Sequence, residues 1–155
     1  MSSPSTRNRV FKSAVVSSAA LALVIGATGC GAVKDFQKST SDAWSVTYEV
    51  SVSGGDTSTI SDVTYLEAEK RGEDSVEKTS ASEATTTDAK TKAATWSTEA
   101  IVTAEKKAAV SATPAKGTTA TCKILLDGVK EIASATAKPG ERVECSADTP
   151  AFSKK

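Results

Sequence analysis

The stretch that decides the fold is TATCKILLDGVKEIASA, residues 119–135. Its first half alternates small or apolar side chains with polar ones, a period of two that is typical of a strand with one buried face. The apolar set is Ala120, Cys122, Ile124 and Leu126. Asp127-Gly128 follows at once, and this pair favours a hairpin because both central positions of a type I′ turn need positive φ. The stretch therefore predicts two antiparallel strands, over 119–126 and 129–135, with a turn at Asp127 and Gly128.

The same period recurs on both sides of this hairpin. The clearest case is WSVTYEVSV, residues 44–52, in which every second side chain is Val or Tyr until Gly54-Gly55-Asp56 breaks the pattern. Further strands are predicted at 59–68, 95–104, 108–112 and 141–146. About seven short strands separated by turn signals, with no helical periodicity, predict an all-β domain over 44–146, built as an antiparallel β-sandwich.

Two segments lack the apolar residues that a packed strand needs. Residues 70–93, KRGEDSVEKTSASEATTTDAKTKA, are charged and rich in Ser and Thr. Such a segment buries too little surface to offset its loss of chain entropy, so a low-complexity mobile loop is predicted there. Residues 147–155 are predicted to be a frayed C-terminal tail.

The first thirty residues have the layout of an export signal. A basic start with Arg7, Arg9 and Lys12 precedes the apolar run AVVSSAALALVI, residues 14–25. This run is shorter than the ~20 residues that span a membrane, so residues 1–29 are predicted to be a cleaved signal peptide. The exit Ala-Thr-Gly-Cys resembles a lipobox, with Ala27 where Leu is usual. Cys30 is then the predicted lipidation site, carrying diacylglycerol and an acyl chain.

A lipid on Cys30 would hold the domain at the outer face of the cell membrane, because two or three acyl chains bind a bilayer stably. Residues 30–43 have no sustained period and are predicted to be the tether between the lipid and the domain. Two alternatives stay open at this point. One is an ordinary signal peptide with a chance Cys30, and the other is a short anchor that is not cleaved.

The composition narrows the classes of function. The chain has no histidine, which removes the commonest general base and the commonest metal ligand. Without residues 1–29 it would carry 16 basic and 19 acidic residues, a balance that argues against nucleic-acid binding. We therefore expect a protein that is not an enzyme and that uses no cofactor or metal.

Two cysteines, Cys122 and Cys145, are left once Cys30 is assigned to the lipid. Each lies on the apolar side of its predicted strand, and an even pair in an oxidising compartment predicts a disulfide. A redox-active pair is the less favoured interpretation because the C-x-x-C spacing is absent. A metal site would need further ligands.

The C-terminal half resembles the MmpS family, the small mycobacterial membrane proteins. The likeness rests on TCKILLDGVK at 121–130 and ERVEC at 141–145, which match that family's Cys-x-Ile/Val-x-x-Asp-Gly hairpin and closing Val-x-Cys strand. VTYEV at 46–50, DVTYL at 62–66 and Trp96 look like its opening strands and the Trp that follows its variable loop. The chain departs from the family in its signal with a lipobox, where members keep an uncleaved transmembrane helix, and in the longer segment 70–93.

The resemblance implies an immunoglobulin-like β-sandwich outside the plasma membrane. It also implies an accessory role beside an MmpL transporter, a proton-driven exporter of the resistance-nodulation-division class that moves lipids, siderophores or drugs. The alternative that we keep is a carrier that holds a lipid or another small ligand at the cell envelope. A connected apolar cavity inside the domain would favour the carrier.

Overall fold

Two antiparallel β-sheets face each other across an apolar core. The computed structural model describes residues 41–54, 59–80, 85–88, 90–91 and 93–152. Within these residues the strands are β1 (Ala43–Ser53), β2 (Ile60–Glu67), β3 (Val76–Ser80), β4 (Thr85–Thr87), β5 (Ala94–Thr103), β6 (Lys107–Pro114), β7 (Thr119–Leu126), β8 (Lys130–Thr136) and β9 (Val143–Asp148). One sheet has the order β4-β5-β1-β7-β8 and the other β3-β2-β6-β9. The predicted all-β class and sandwich architecture are confirmed.

The strand order is related to that of an immunoglobulin domain. The neighbours β4-β5-β1 and β3-β2-β6 follow the order of immunoglobulin strands D-E-B and C′-C-F. Strand β7 lies beside β1, in the place of strand A, and β9 lies beside β6, in the place of strand G. The hairpin predicted from residues 119–135 therefore completes one sheet, and the strand that follows it completes the other.

The core is made by the alternation that the sequence predicts. On β1 the inward side chains Val46, Tyr48, Val50 and Val52 are fully buried. Because β1 pairs with β5 on one side and β7 on the other, these residues lie at the centre of the larger sheet. The alternating apolar set of β7, from Ala120 to Leu126, is buried as well. The period-two pattern thus identified the inner faces of β1 and β7, the two strands with the clearest alternation in the sequence.

Three aromatic rings join the two sheets. Tyr65 of β2 lies between Tyr48 and Trp96, with ring centroids 5.7 Å and 5.8 Å away and tilted planes. The polar ends of the two buried rings have partners. The Tyr48 hydroxyl donates a hydrogen bond to the carbonyl of Leu66 at 2.7 Å, and the Trp96 indole N–H donates to the hydroxyl of Ser80 at 3.0 Å. These bonds remove the penalty of burying the polar atoms.

The prediction of an unstructured loop over 70–93 is wrong for part of that segment, which forms the edge strands β3 and β4. An edge strand pairs on one side only and keeps one face in water, so it needs few apolar residues. On β3, for example, Lys78 forms an ion pair with Glu69 at 3.3 Å. The pairing with β2 and β5, and not the local composition, therefore orders these strands.

The prediction of a frayed tail is also wrong for residues 147–152. Strand β9 continues to Asp148, and Thr149 is 2% exposed. The Thr149 hydroxyl donates a hydrogen bond to the carbonyl of Thr103 at 2.9 Å. Phe152 stacks on Trp44 with a centroid distance of 4.2 Å. Residues 153–155 and the predicted signal peptide lie outside the described residues, and no described helix is long and apolar enough to cross a membrane.

Candidate functional site

The predicted disulfide between Cys122 and Cys145 is present, and it joins the two sheets. Cys122 lies on β7 and Cys145 on β9, with Cα atoms 6.0 Å apart and a sequence separation of 23. In antibody domains the inter-sheet disulfide joins the strands that correspond to β1 and β6, whereas here it joins their neighbours. The two residues are 0% and 4% exposed. A buried disulfide is poorly accessible to thiols, so this bond is a structural crosslink.

The predicted turn at Asp127 and Gly128 is formed as expected. Both residues have positive φ, 51° and 70°, and the Val129 N–H donates to the Leu126 carbonyl at 3.0 Å. The Asp127 N–H also donates to the carbonyl of Ser45 on β1 at 2.7 Å. The turn therefore closes the hairpin and fastens it to the neighbouring strand. Cys30, the predicted lipidation site, lies outside the described residues.

A groove of about 310 Å³ lies on the outer face of the four-stranded sheet. We call it the outer groove. Its floor includes Ala109 and Ser111 of β6 and Ser146 of β9, and its rim includes Leu66 and Glu77. Ala109 pairs with Ser146 across the two strands. Small side chains on these strands beside longer ones on β2 and β3 make a shallow trough that is open to water.

Arg142 forms a polar cluster next to the outer groove. One guanidinium nitrogen donates to the carbonyl of Asp62 and to the hydroxyl of Thr113, each at 3.2 Å. The other donates to the hydroxyls of Thr64 and Ser111. Asp62 has φ 50° and lies in the β-bulge at which the pairing of β2 with β6 shifts register. Arg142 thus satisfies a carbonyl that the bulge takes out of the ladder.

The chemistry of the groove is that of a hydrogen-bonding surface. The Thr64 and Ser111 hydroxyls lie 2.9 Å apart and accept hydrogen bonds from Arg142, an arrangement that does not activate a hydroxyl as a nucleophile. The Glu144 carboxylate is 3.8 Å from the Arg142 guanidinium. Among the described residues, no group of three His, Cys, Asp or Glu side chains could hold a metal ion.

The ionisable group with the largest pKa shift lies below this face and not in it. Burial raises the pKa of Tyr48 well above its usual value of 10.0. The hydroxyl is therefore neutral at physiological pH and acts as the donor to the Leu66 carbonyl. A neutral, buried and satisfied phenol stabilises the packing of the two sheets, and it is not placed for proton transfer.

Sequence reasoning missed the outer groove and the Arg142 cluster. Thr64 lies on β2, Ser111 lies on β6 and Arg142 directly precedes β9, so only the register of these three strands brings the residues together. Each residue alone looks like an ordinary exposed position in a half-buried strand. The predicted cysteines and the predicted turn do not line this groove, apart from Cys145 at its floor.

Comparison of the chain with known proteins returned no family. No protein-family model matches the chain, and no curated protein is a significant relative.

Proposed function

We propose that this protein is an exported, lipid-anchored adaptor domain that serves as a non-enzymatic accessory of an MmpL-type membrane exporter. The proposal combines the predicted signal peptide and lipidation of Cys30 with the MmpS-like hairpin. An inter-sheet disulfide supports a location outside the cytoplasm, where such bonds persist. The membrane exporter would be the partner, and the domain would act on its extracytoplasmic side.

The filled interior of the sandwich is the observation that favours the adaptor role over the carrier role. Between the sheets, Trp96, Tyr48, Ile124 and Leu126 are each 1% exposed or less. Protein interiors at native density leave little free volume, so a lipid tail between these sheets would have to displace the core. Function at the surface of the domain is therefore favoured over storage of a ligand inside it.

The outer groove is the surface that we propose for the contact with the exporter. Its hydroxyls, the Lys107 ammonium and its carboxylates offer both donors and acceptors, and its floor of small side chains lets another backbone come close. A shallow polar surface of this kind suits a protein partner better than a small apolar ligand, which prefers a deep apolar pocket.

The test is affinity purification of the tagged protein from its host's membranes in mild detergent. We expect a large multi-pass exporter in the eluate of the wild type, and loss of membrane retention when Cys30→Ala removes the lipidation site. Within the membrane-anchored protein, Ser146→Arg should fill the groove and reduce recovery of the exporter. Ser97→Arg is the matched control, because Ser97 is an exposed serine on the opposite sheet.

Each result bears on one part of the proposal. Recovery of the protein with lipid alone would favour the carrier. Equal recovery of the exporter with Ser146→Arg and with Ser97→Arg would reject the outer groove as the contact and leave the adaptor role standing. Tight membrane retention of Cys30→Ala would reject the lipid anchor.

A further inference from the structure

One end of the sandwich receives the chain from the N-terminal segment, and we call it the tether end. It consists of residues 41–44, the loop 68–75, the turns 103–107 and 127–129, and the C-terminal segment 149–152. Backbone hydrogen bonds hold these parts together, among them Ala104 N–H to the Asp42 carbonyl at 2.9 Å and Glu105 N–H to the Thr149 carbonyl at 3.0 Å. The tether end is thus a single ordered surface made of five separate segments.

The large apolar side chains that the described part of the fold leaves exposed lie in the tether end or one to two residues outside it. They are Val76 (45% exposed), Ile101 (41%), Val129 (82%) and Phe152 (39%). Each position follows from the pairing: Val76 lies opposite the last residue of β2, and Ile101 lies opposite Ser45 near the start of β1. Val129 ends the hairpin turn. The opposite end of the sandwich has no exposed large apolar side chain among the described residues.

An aromatic pair adds to this apolar surface. Trp44 and Phe152 stack with centroids 4.2 Å apart and planes at 21°. The Trp44 indole N–H donates to the Pro150 carbonyl at 2.8 Å, so its polar atom is already satisfied. Aromatic side chains with a satisfied polar end are enriched where a protein meets the membrane–water interface.

The N-terminal segment limits what can cover the tether end. Ser41 follows Cys30 by 11 residues. Even a fully extended chain of that length reaches about 40 Å at most, so a lipid on Cys30 would keep the tether end near the bilayer. Because the chain enters at this end, it is the part of the domain that faces the membrane when the tether is short or compact.

We infer that the tether end rests on the lipid headgroups, with Trp44, Val129 and Phe152 as its contact with the bilayer. The inference rests on the proposed lipid anchor and adds an orientation to it. A domain held in this way presents its sheet faces, including the outer groove, sideways along the membrane. A membrane protein beside it could then reach the groove without lifting the domain.

The charges around the tether end decide which lipid to use in a test. Its longest loop has the sequence EKRGED over residues 69–74, with three acidic and two basic side chains. Asp127 lies next to Val129. This balance does not attract an anionic surface, so contact depends on the apolar side chains and zwitterionic phosphatidylcholine is the suitable probe.

The experiment is quenching of tryptophan fluorescence by brominated lipid. The complete lipidated protein is reconstituted into phosphatidylcholine vesicles whose acyl chains are brominated near the headgroup. The chain has two tryptophans, and Trp96 is buried in the core at 1% exposure. We expect Trp44→Phe to lose most of the quenching that the wild type shows, because only Trp44 lies near the interface.

Variants at the contact and away from it sharpen the result. Val129→Asp and Phe152→Asp should each lower the quenching of Trp44, because a carboxylate resists transfer into the interface. Ser53→Asp, an exposed position at the opposite end, is the matched control and should leave the quenching unchanged. None of these variants alters the buried core, and circular dichroism checks that each one folds.

The outcomes separate this inference from the anchor on which it rests. Protein that floats with the vesicles but shows equal quenching in the wild type and in Trp44→Phe would overturn the orientation and leave the anchor standing. Wild-type protein that does not float would overturn both. The vesicles hold no other protein, so a tether end that contacts only a protein partner would give no quenching of Trp44.

Discussion

Removal of the disulfide between Cys122 and Cys145 should destabilise the domain strongly. The bond joins two residues with a sequence separation of 23 and closes a loop that contains β8 and two turns, so it restricts the unfolded chain far more than the folded one. On the chain-entropy model, a loop of this length corresponds to about 3 kcal/mol of stability. That is a large share of the ~5–15 kcal/mol that a domain usually has.

The free energy converts into a shift of the melting temperature. The described domain, Ser41 to Phe152, has about 110 residues, and the entropy of unfolding scales at roughly 2 cal/mol/K per residue. A loss of about 3 kcal/mol then lowers Tm by about 14 °C. The buried position of both sulfurs adds a smaller cost, because alanine at these sites leaves unfilled space in the core.

The assay is thermal unfolding of the mature chain, followed by circular dichroism and by the emission of buried Trp96. The background carries Cys30→Ala, which removes the third cysteine of the chain and serves as the matched control. Against it we compare the double variant Cys122→Ala/Cys145→Ala. The same background, reduced while it is unfolded and then refolded in reducing agent, should melt close to the double variant. A decrease in Tm of less than ~3 °C in both cases would refute the entropic argument, because the crosslink would then restrict the unfolded chain only slightly.

Three further predictions concern single positions. Burial raises the pKa of Tyr48, so the folded state keeps this hydroxyl protonated at pH values at which the unfolded state has lost the proton. The contribution of Tyr48 to the free energy of unfolding is therefore unchanged below pH 10.0 and decreases as the pH rises above it. Urea midpoints should therefore fall more steeply above that pH for the wild type than for Tyr48→Phe, and parallel curves would contradict this. Gly128→Ala should cost about 1 kcal/mol through its positive φ, because the added Cβ meets only the Thr47 hydroxyl at 3.8 Å. Gly128→Asn should recover part of that loss in the same chemical denaturation. Arg142→Ala should cost about 1 kcal/mol by removing the charged donor of the Asp62 carbonyl in the bulge, an exposed position at which water replaces part of the lost bond, and Arg142→Lys, which cannot reach several acceptors at once, should restore less than half.

The MmpS likeness stays a prediction, because no family model matches the chain, and the strand order shows the sandwich architecture alone. The likeness rests mainly on the hairpin at 121–130 and the closing strand at 141–145, with weaker matches at 46–50, 62–66 and Trp96. The immunoglobulin-type order lies in β1 to β6, which precede that hairpin. Neither one establishes a function, since sandwiches of this kind have many roles. The purification and quenching experiments test the proposed role directly.

The sequence by itself determined the features that depend on neighbours along the chain. Alternation in residues 44–52 and 119–126 identified two central strands and their buried faces, because a strand repeats every two residues wherever it lies. Asp127-Gly128 identified the hairpin, because the left-handed conformations that it adopts are a local property of these residue types. Cys122 and Cys145 identified the crosslink because, once Cys30 is assigned to the lipid, each of them can pair only with the other within the chain.

Only the tertiary structure decided the features that depend on pairing between distant segments. β3 and β4 have the composition of a solvated loop, and they become strands because β2 and β5 offer them free backbone groups. Arg142 reaches a carbonyl 80 residues away in sequence. Phe152 is ordered by stacking on Trp44, near the opposite end of the domain's sequence. Such contacts produce no periodic pattern in the sequence. The position of each residue depends on its interaction with a partner that is far away along the chain.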